Sequence, residues 1–381
     1  MTRKKLVALL LCASLLLSIL FACNTPEVVD EVDVEDEQVD AVPDIEPPKE
    51  GIDFDAAIAT FPPDTVMITA GELKFTWAEL YVLLFSSVQE VLQISPFGID
   101  WSGEISHGIT LEDYALMRAT EEALNLMLFE YGAKDLGVTL SEELQIKHNQ
   151  EIDALIENYG GIDELSKVLW ENGGFYSFDV FERLVLLEYT SAYILIDLYG
   201  ESGDALPEED VADFVERYGF MMAKHIVILS EDNDSAREEA EDILKQLKSK
   251  VNDDDFEEFF DSLMFELTED PGVVMSPEGY LFQFNDMVEP FSEACQALEI
   301  GQMSELVETE YGFHILLRLP IDYDSVPISA VQAGMIRNLW QLAAIENFEM
   351  LVQKWREEFN PVFTPEYDSI DIATIFHWWE R

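Results

Sequence analysis

His225 lies inside the β-branched run Ala223 to Leu229, and His314 inside the apolar run Tyr311 to Leu319. Histidine can move protons or hold a metal near neutral pH. On an apolar strand it can equally complete a buried polar network. Between the two, Asp270 opens Asp270-Pro271-Gly272. A carboxylate there either forms the turn or, if desolvated, acts on the dipole of a bound group. Met287 and Phe291 stand four residues apart at the start of a helical pattern, so they point the same way. With Leu281 they read either as core or as the wall of an apolar pocket. The five histidines are too scattered for a metal cluster, and no cofactor or metal is expected. Cys295 is the one cysteine outside the N-terminal run, so the body can hold no internal disulfide. It reads as a buried small hydrophobe on a short helix.

These residues need a scaffold that brings the ends of a long segment together. After Gly219 the pattern predicts a strand over Ala223–Leu229, then a helix capped by Ser235 and Glu238. The buried stripe of that helix is Ala236, Ala240, Ile243, Leu244 and Leu247. A second helix follows over Phe256–Phe265, then the Asp270 turn. A strand over Gly279–Phe282 and a helix over Glu289–Leu298 come next. A short segment over Ser304–Val307 and a strand over Tyr311–Leu319 complete the unit. The order is β-α-α-β-α-β, a compact α+β unit of about 100 residues.

Residues 65–217 read as almost wholly helical. A hairpin around Gly71 opens the segment. Thr76 with Glu79 makes a capping box, Thr110 opens the next helix, and Gly137 stops it. Thr139 with Glu142 makes another box, before a helix ending near Gly160-Gly161. Two or three further helices run from Asp163 to Arg217. Beyond Pro327 a last helix carries Ile336, Trp340, Ala343, Ala344, Phe348, Leu351, Val352 and Trp355 on one apolar face. The N-terminal helices are its expected partner, which makes the α+β unit an insertion. The tail, 361–381, ends in Phe376-His377-Trp378-Trp379, either a docking strand or a sticky end.

The N-terminus reads as an address. Arg3, Lys4 and Lys5 precede an apolar run from Leu6 to Phe21, shorter than the roughly 20 residues of a membrane span. It closes on Leu20-Phe21-Ala22-Cys23, which resembles the lipobox of bacterial lipoproteins. That resemblance implies a signal peptide over 1–22 and a lipidated Cys23. Residues 23–60 read as an acidic disordered linker rich in Glu, Asp, Val and Pro. The net charge of −57 over 381 residues repels phosphates and argues against nucleic-acid binding.

Six stretches in order carry a family resemblance: Ala223-Lys224-His225-Ile226-Val227, Asp270-Pro271-Gly272, Gly279-Tyr280-Leu281, Met287-Val288-Glu289-Pro290-Phe291, Ile300-Gly301-Gln302-Met303-Ser304 and Val307 through Ile315. Residues 219–321 closely resemble the parvulin (PpiC-type) peptidyl-prolyl isomerases. With the lipobox and the flanking helices, the whole chain resembles the PrsA-type foldase lipoproteins and, more distantly, the SurA chaperones. The implied fold is α+β: a parvulin-like antiparallel sheet with surrounding helices, inserted in an all-α, SurA-N-like chaperone module. The implied segments are a helical module over 65–217, an isomerase domain over 219–321 and a helix over 327–360 packing back on the module.

The resemblance implies a proline pocket of Leu281, Met287 and Phe291. It also implies catalytic positions at His225, Asp270, Thr309 and His314, the two histidines bonded to each other and to the Thr309 hydroxyl. The loop after the first strand, Ser230 to Asp234, offers no Arg or Lys, so phosphate-directed specificity is not expected. The implied activity is isomerisation of Xaa-Pro bonds in unfolded or nascent secreted proteins, at the outer face of the bacterial cytoplasmic membrane through a lipid anchor. A homodimer through the helical module is a further possibility. The competing reading is a holdase whose isomerase domain serves only to bind clients. A two-lobed solute-binding protein would need alternating strands and helices, which the pattern lacks.

Overall fold

The computed structural model describes residues 51–95, 98–229, 233–332 and 336–379. The signal segment, Cys23, most of the acidic linker and Ser230-Glu231-Asp232 lie outside the described residues. No helix of the described residues is long and apolar enough to cross a membrane. The chain divides into two units, one ending at Asp197 and resuming at Met350, the other spanning Leu198–Glu349. The second is thus inserted within the first.

In the first unit, β1 (Gly51–Ile52) and α1 (Phe54–Ile58) precede a hairpin of β2 (Val66–Ala70) and β3 (Leu73–Thr76). The fold therefore starts inside the span expected to be linker. Apolar burial explains this: Ala57 and Ile58 join the core, and the Trp77 indole and Tyr81 hydroxyl donate to the carbonyls of Ile58 and Phe54. Next come α2 (Trp77–Ile94), the short hairpin β4 (Glu104–Ser106) and β5 (Ile109–Thr110), and α3 (Leu111–Leu136). The capping box expected at Thr76 forms, Thr110 opens α3 with a further box to Asp113, and Gly137 ends α3 in the left-handed conformation at φ +68°. α4 (Glu142–Asn158) is capped by Ser141 instead of Thr139, its hydroxyl accepting from Leu144 N. α5 (Ile162–Gly173) and α6 (Phe178–Tyr199) follow.

The C-terminal stretch closes this unit. β10 (Val362–Phe363) adds to β2, so the unit carries a small sheet besides its helices. β11 (Trp378–Trp379) pairs antiparallel with β1, so the tail docks as a strand. Phe376 is fully buried and stacks on Tyr81, and its carbonyl accepts from the Trp101 indole.

Gly132, inside α3, faces the fully buried Trp355; a Cβ there would sit 2.5 Å from the indole. Alanine gains about 1 kcal/mol of helix propensity, but overpacking costs about 1–3 kcal/mol. Gly132→Ala is therefore expected to lower stability in urea unfolding. An unchanged or raised midpoint would contradict the close packing.

In the second unit, α7 (Glu208–Tyr218) leads into β6 (Met221–Leu229), α8 (Asn233–Lys248), α9 (Phe256–Leu267), β7 (Tyr280–Phe282), α10 (Glu289–Ala297), β8 (Val307–Thr309) and β9 (Gly312–Leu319). The four strands form an antiparallel sheet in the order β7-β6-β9-β8. The fourth strand, β8, begins where the short segment expected over Ser304–Val307 ends; it is the outer arm of a hairpin closed by Gly312. That glycine has φ +145°, and a Cβ there would strike the Ile228 carbonyl of the neighbouring strand.

Alternation divides the sheet into two faces. Met222, Ile226, Ile228, Phe313, Ile315 and Leu317 meet Ala240, Ile243, Leu247 and Phe260 of α8 and α9. Met221, Ala223 and Leu316 meet Phe291 and Cys295 of α10. α8 already begins at Asn233, so Ser235 lies inside it rather than capping it.

Two expected boundaries move. α7 was assigned to the helical module ending at 217, but its stripe of Val211, Phe214 and Val215 packs into the core shared with the sheet. The long C-terminal helix, α12 (Leu339–Glu358), follows the short α11 (Ile328–Gln332). Its first turns place Leu339 and Ala343 in that same core, while Trp355 packs in the first unit. Ile336 precedes the helix and is 84% exposed, so it is not part of the apolar face.

Candidate active site

On β6, odd positions face α10 and even positions face α8 and α9, which turns His225 towards α10 and its neighbour Lys224 away. Lys224 is buried and ion-paired with Glu257 and Asp261 of α9. On β9 the phase that buries Leu316 against α10 also turns His314 there. The register pairs Val227 with His314 and His225 with Leu316. The two histidines are therefore diagonal neighbours, with ring centroids 5.4 Å apart.

β7 covers only Met221–Ala223, which leaves the rest of that edge of β6 with backbone groups to satisfy. The segment after α9 supplies the partners. Thr268 Oγ1 accepts from Val227 N, and Glu269 N donates to the Val227 carbonyl. This strap places the next residue, Asp270, level with His225. One carboxylate oxygen lies 2.9 Å from His225 Nε2 and accepts from the Tyr280 hydroxyl at 2.6 Å; the other accepts from Gly272 N at 2.9 Å. The bond to His225, helped by Tyr280 and Gly272 and opposed by burial, holds the carboxyl well below the usual carboxylate range. Burial and the Asp270 charge push the Tyr280 phenol up, so it stays a donor.

At the other end, the β8–β9 hairpin brings Thr309 Oγ1 to 2.8 Å from His314 Nε2, and the same hydroxyl accepts from Tyr311 N. Each histidine thus spends its Nε2 on its own oxygen partner, and neither Nδ1 has a partner among the described residues. The expected bond between the histidines is absent, because Asp270 and Thr309 draw the two rings apart.

Phe291 lies over both rings. It meets His225 at 5.3 Å and His314 at 5.6 Å, edge-on in each case, and Phe282 at 5.6 Å. Met287 packs half-buried against this cluster. It precedes α10 in an extended conformation, so it reaches Phe291 through the chain's turn and not by helical spacing. Leu281 does not join them. Its register partner is Met222, and both face the α8–α9 side. The residues beside it, Tyr280 and Phe282, occupy the pocket face. Tyr280 is the site residue that sequence reasoning missed; strand alternation from His225 was the available signal. Cys295 is fully buried beneath Phe291 with Arg318 Nη1 3.1 Å from its sulfur, and burial pushes its thiol up.

Burial pushes the His314 imidazolium down to about 4, with the neighbouring His225 adding to the effect. The folded state then resists a proton that an unfolded histidine takes up near 6.5. The unfolded chain binds more protons between those values, so stability falls as pH drops through that window, by at most about 3 kcal/mol. Urea unfolding of wild type and His314→Gln between pH 7 and 4.5 checks this. The wild type should lose more stability than the variant; equal slopes would contradict it.

Residues 225–319 match the PPIC-type PPIASE domain of the rotamase family. Over 241 residues the chain is 25% identical to the foldase protein PrsA of Clostridium perfringens, covering 60% of this chain and 66% of that protein, just under two thirds of its length. It is 23% identical over 320 residues to the foldase protein PrsA of Clostridium tetani, covering 79% of this chain and 85% of that protein. Among solved structures, the peptidylprolyl isomerase (PrsA) of Bacillus cereus is 18% identical, with a TM-score of 0.32 over 72% of this chain and 98% of that one. The matched segment is the one that carries His225, Asp270, Thr309, His314, Met287 and Phe291 on a four-stranded antiparallel sheet: residues 225–319 are a PpiC-type (parvulin) peptidyl-prolyl isomerase domain, in a chain similar to PrsA foldases over most of its length.

Proposed function

We propose that this protein is an extracytoplasmic prolyl isomerase and foldase that assists secreted proteins as they fold. The observation that carries this reading is the apolar seat of Phe291 set over two networks, His225–Asp270–Tyr280 and His314–Thr309. Rotation about an Xaa-Pro bond meets a barrier of about 18–20 kcal/mol and takes tens of seconds or more unaided. No covalent step is needed. Phe291 and Met287, backed by the fully buried Phe282, receive the proline ring in a water-poor site. Asp270 supplies a fixed negative charge beside the amide. The planar amide carries more charge on its oxygen than the twisted one, so such a charge disfavours the planar form. His225 and Tyr280 orient Asp270, and Thr309 with His314 supports the floor. Lipidation at Cys23 anchors the chain to the outer face of the cytoplasmic membrane, and pairing of helical units gives a dimer.

The helical unit, spanning most of 51–197 and 350–379, favours a second contribution, the holding of unfolded clients. Refolding of a protein limited by a slow prolyl step separates the two. The isomerase reading expects a faster slow phase with wild type and not with Phe291→Ala. Suppressed aggregation with no change in that phase would leave a holdase.

A further inference from the structure

From Val251 to Leu317 the chain contains 17 Asp and Glu and neither Lys nor Arg. This stretch supplies the site's Asp270, Tyr280, Met287, Phe291 and Thr309 and ends just past His314. Apart from the strands that carry His225 and His314, each segment that delivers a site side chain also carries an exposed acid within two residues of it. Glu269 precedes Asp270, Glu278 lies two before Tyr280, Glu289 two after Met287, and Glu310 follows Thr309, whereas Glu308 turns to Arg237 on the α8 face. The nearby cations are engaged. Lys224 is buried on the opposite face of the sheet with Glu257 and Asp261. Arg318 binds the Cys295 sulfur and carbonyl, and Arg237 is shared between Glu241 and Glu308. Asp270 adds a charge inside the site.

The acids sit on separate pieces of chain: the strap before Asp270, the turn before β7, the start of α10 and the β8–β9 hairpin. A single solvated helix face would carry its charges on one element; these acids lie on separate segments, each of which also delivers a side chain to the apolar seat. A peptide advances at most about 3.3–3.6 Å per residue. With its proline on Phe291, the residue before the proline stays within one such step of the site and so in the field of these acids and Asp270. A recess of one sign concentrates ligands of the other sign and repels its own.

We propose that the isomerase site is selective for a cationic residue immediately before the proline, so that Lys-Pro and Arg-Pro bonds are its preferred substrates and Glu-Pro bonds its poorest. Glu278 and Glu310 are specificity-determining residues in this assignment, since both are exposed and neither belongs to the networks around Asp270 or His314. The inference rests on the isomerase reading above.

The test uses the full chain and three tetrapeptides that differ only in Lys, Leu or Glu before proline, with exchange catalysis measured in low salt and in 0.5 M NaCl. The expected ratio of kcat/KM for Lys over Glu is about tenfold in low salt, the low end of what a one-sign cleft achieves. It should shrink in high salt, where the Debye length falls to a few ångströms. Glu278→Gln with Glu310→Gln should shrink the ratio in low salt and leave the Leu peptide unchanged. A Leu peptide that is accelerated while Lys and Glu differ by less than twofold at either salt overturns the specificity and leaves the isomerase. If no peptide is accelerated, the isomerase reading fails and the specificity falls with it.

Discussion

Phe291→Ala is expected to reduce isomerase acceleration by about a hundredfold and to destabilise the second unit by about 3–5 kcal/mol. The stability term follows from burial: the ring is 2% exposed, and removing a fully packed Phe leaves a cavity that the surroundings fill only in part. The activity term follows from position. The ring touches His225, His314 and Phe282, so its loss removes the floor of the proline seat and loosens both polar networks. A contact of roughly 3 kcal/mol made in the transition state corresponds to about two decades of rate. Phe291→Leu separates the terms. It keeps most of the apolar volume and should remain folded at 25 °C while still losing most of the activity. Circular dichroism with denaturant reads the first, and peptide exchange the second. A folded Phe291→Leu protein with activity within twofold of wild type would remove Phe291 from the site.

The second large effect is expected at Asp270. Its carboxylate accepts from the Tyr280 hydroxyl and Gly272 N and pairs with His225. Asp270→Asn keeps the shape but loses the charge and turns one acceptor into a donor facing donors. Hydrogen bonds to a charged group are worth about 1.5–3 kcal/mol each, and some survive in the amide, so the expected loss is roughly 2–4 kcal/mol. Removing a preorganised charge from a site typically costs a hundredfold or more in rate, and a decrease of about that size is expected here. The pH dependence has a definite sign. A carboxyl held below its ordinary value contributes stability above the unfolded value near 4 and loses it as pH falls further. The gap between wild type and Asp270→Asn should therefore be flat from about pH 5 to 8 and close only in stronger acid. A gap that grows on acidification would mean that Asp270 is not the ionised acceptor.

Much of this site was legible because its residues sit in ordered stretches whose chemistry survives without geometry. His225 in a β-branched strand, Asp270 before Pro-Gly, and Met287 with Phe291 at the entry to α10 all take part in one assembly. What escaped has physical reasons. β7 is three residues long, too short for periodicity to set its phase, and a slip of one residue exchanges Leu281 for Tyr280 and Phe282 at the pocket. β8 is equally short and is defined only by its partner β9. The stripe of α7 announces that Val211, Phe214 and Val215 are buried, but amphipathicity does not say against what; the core of the second unit took them. Trp378–Trp379 docks on Gly51–Ile52 from the far end of the chain, a pairing for which no local signal exists.

The central claim is that the apolar seat at Phe291 rotates Xaa-Pro bonds. The most direct measurement is exchange spectroscopy on a Leu-Pro peptide at natural cis/trans equilibrium with catalytic amounts of the full chain, beside the folded Phe291→Leu and Asp270→Asn variants. The account predicts cis/trans cross-peaks that grow within seconds with wild type and stay at the uncatalysed level with both variants. Exchange at the uncatalysed rate with folded wild type, or equal acceleration by all three proteins, would contradict it.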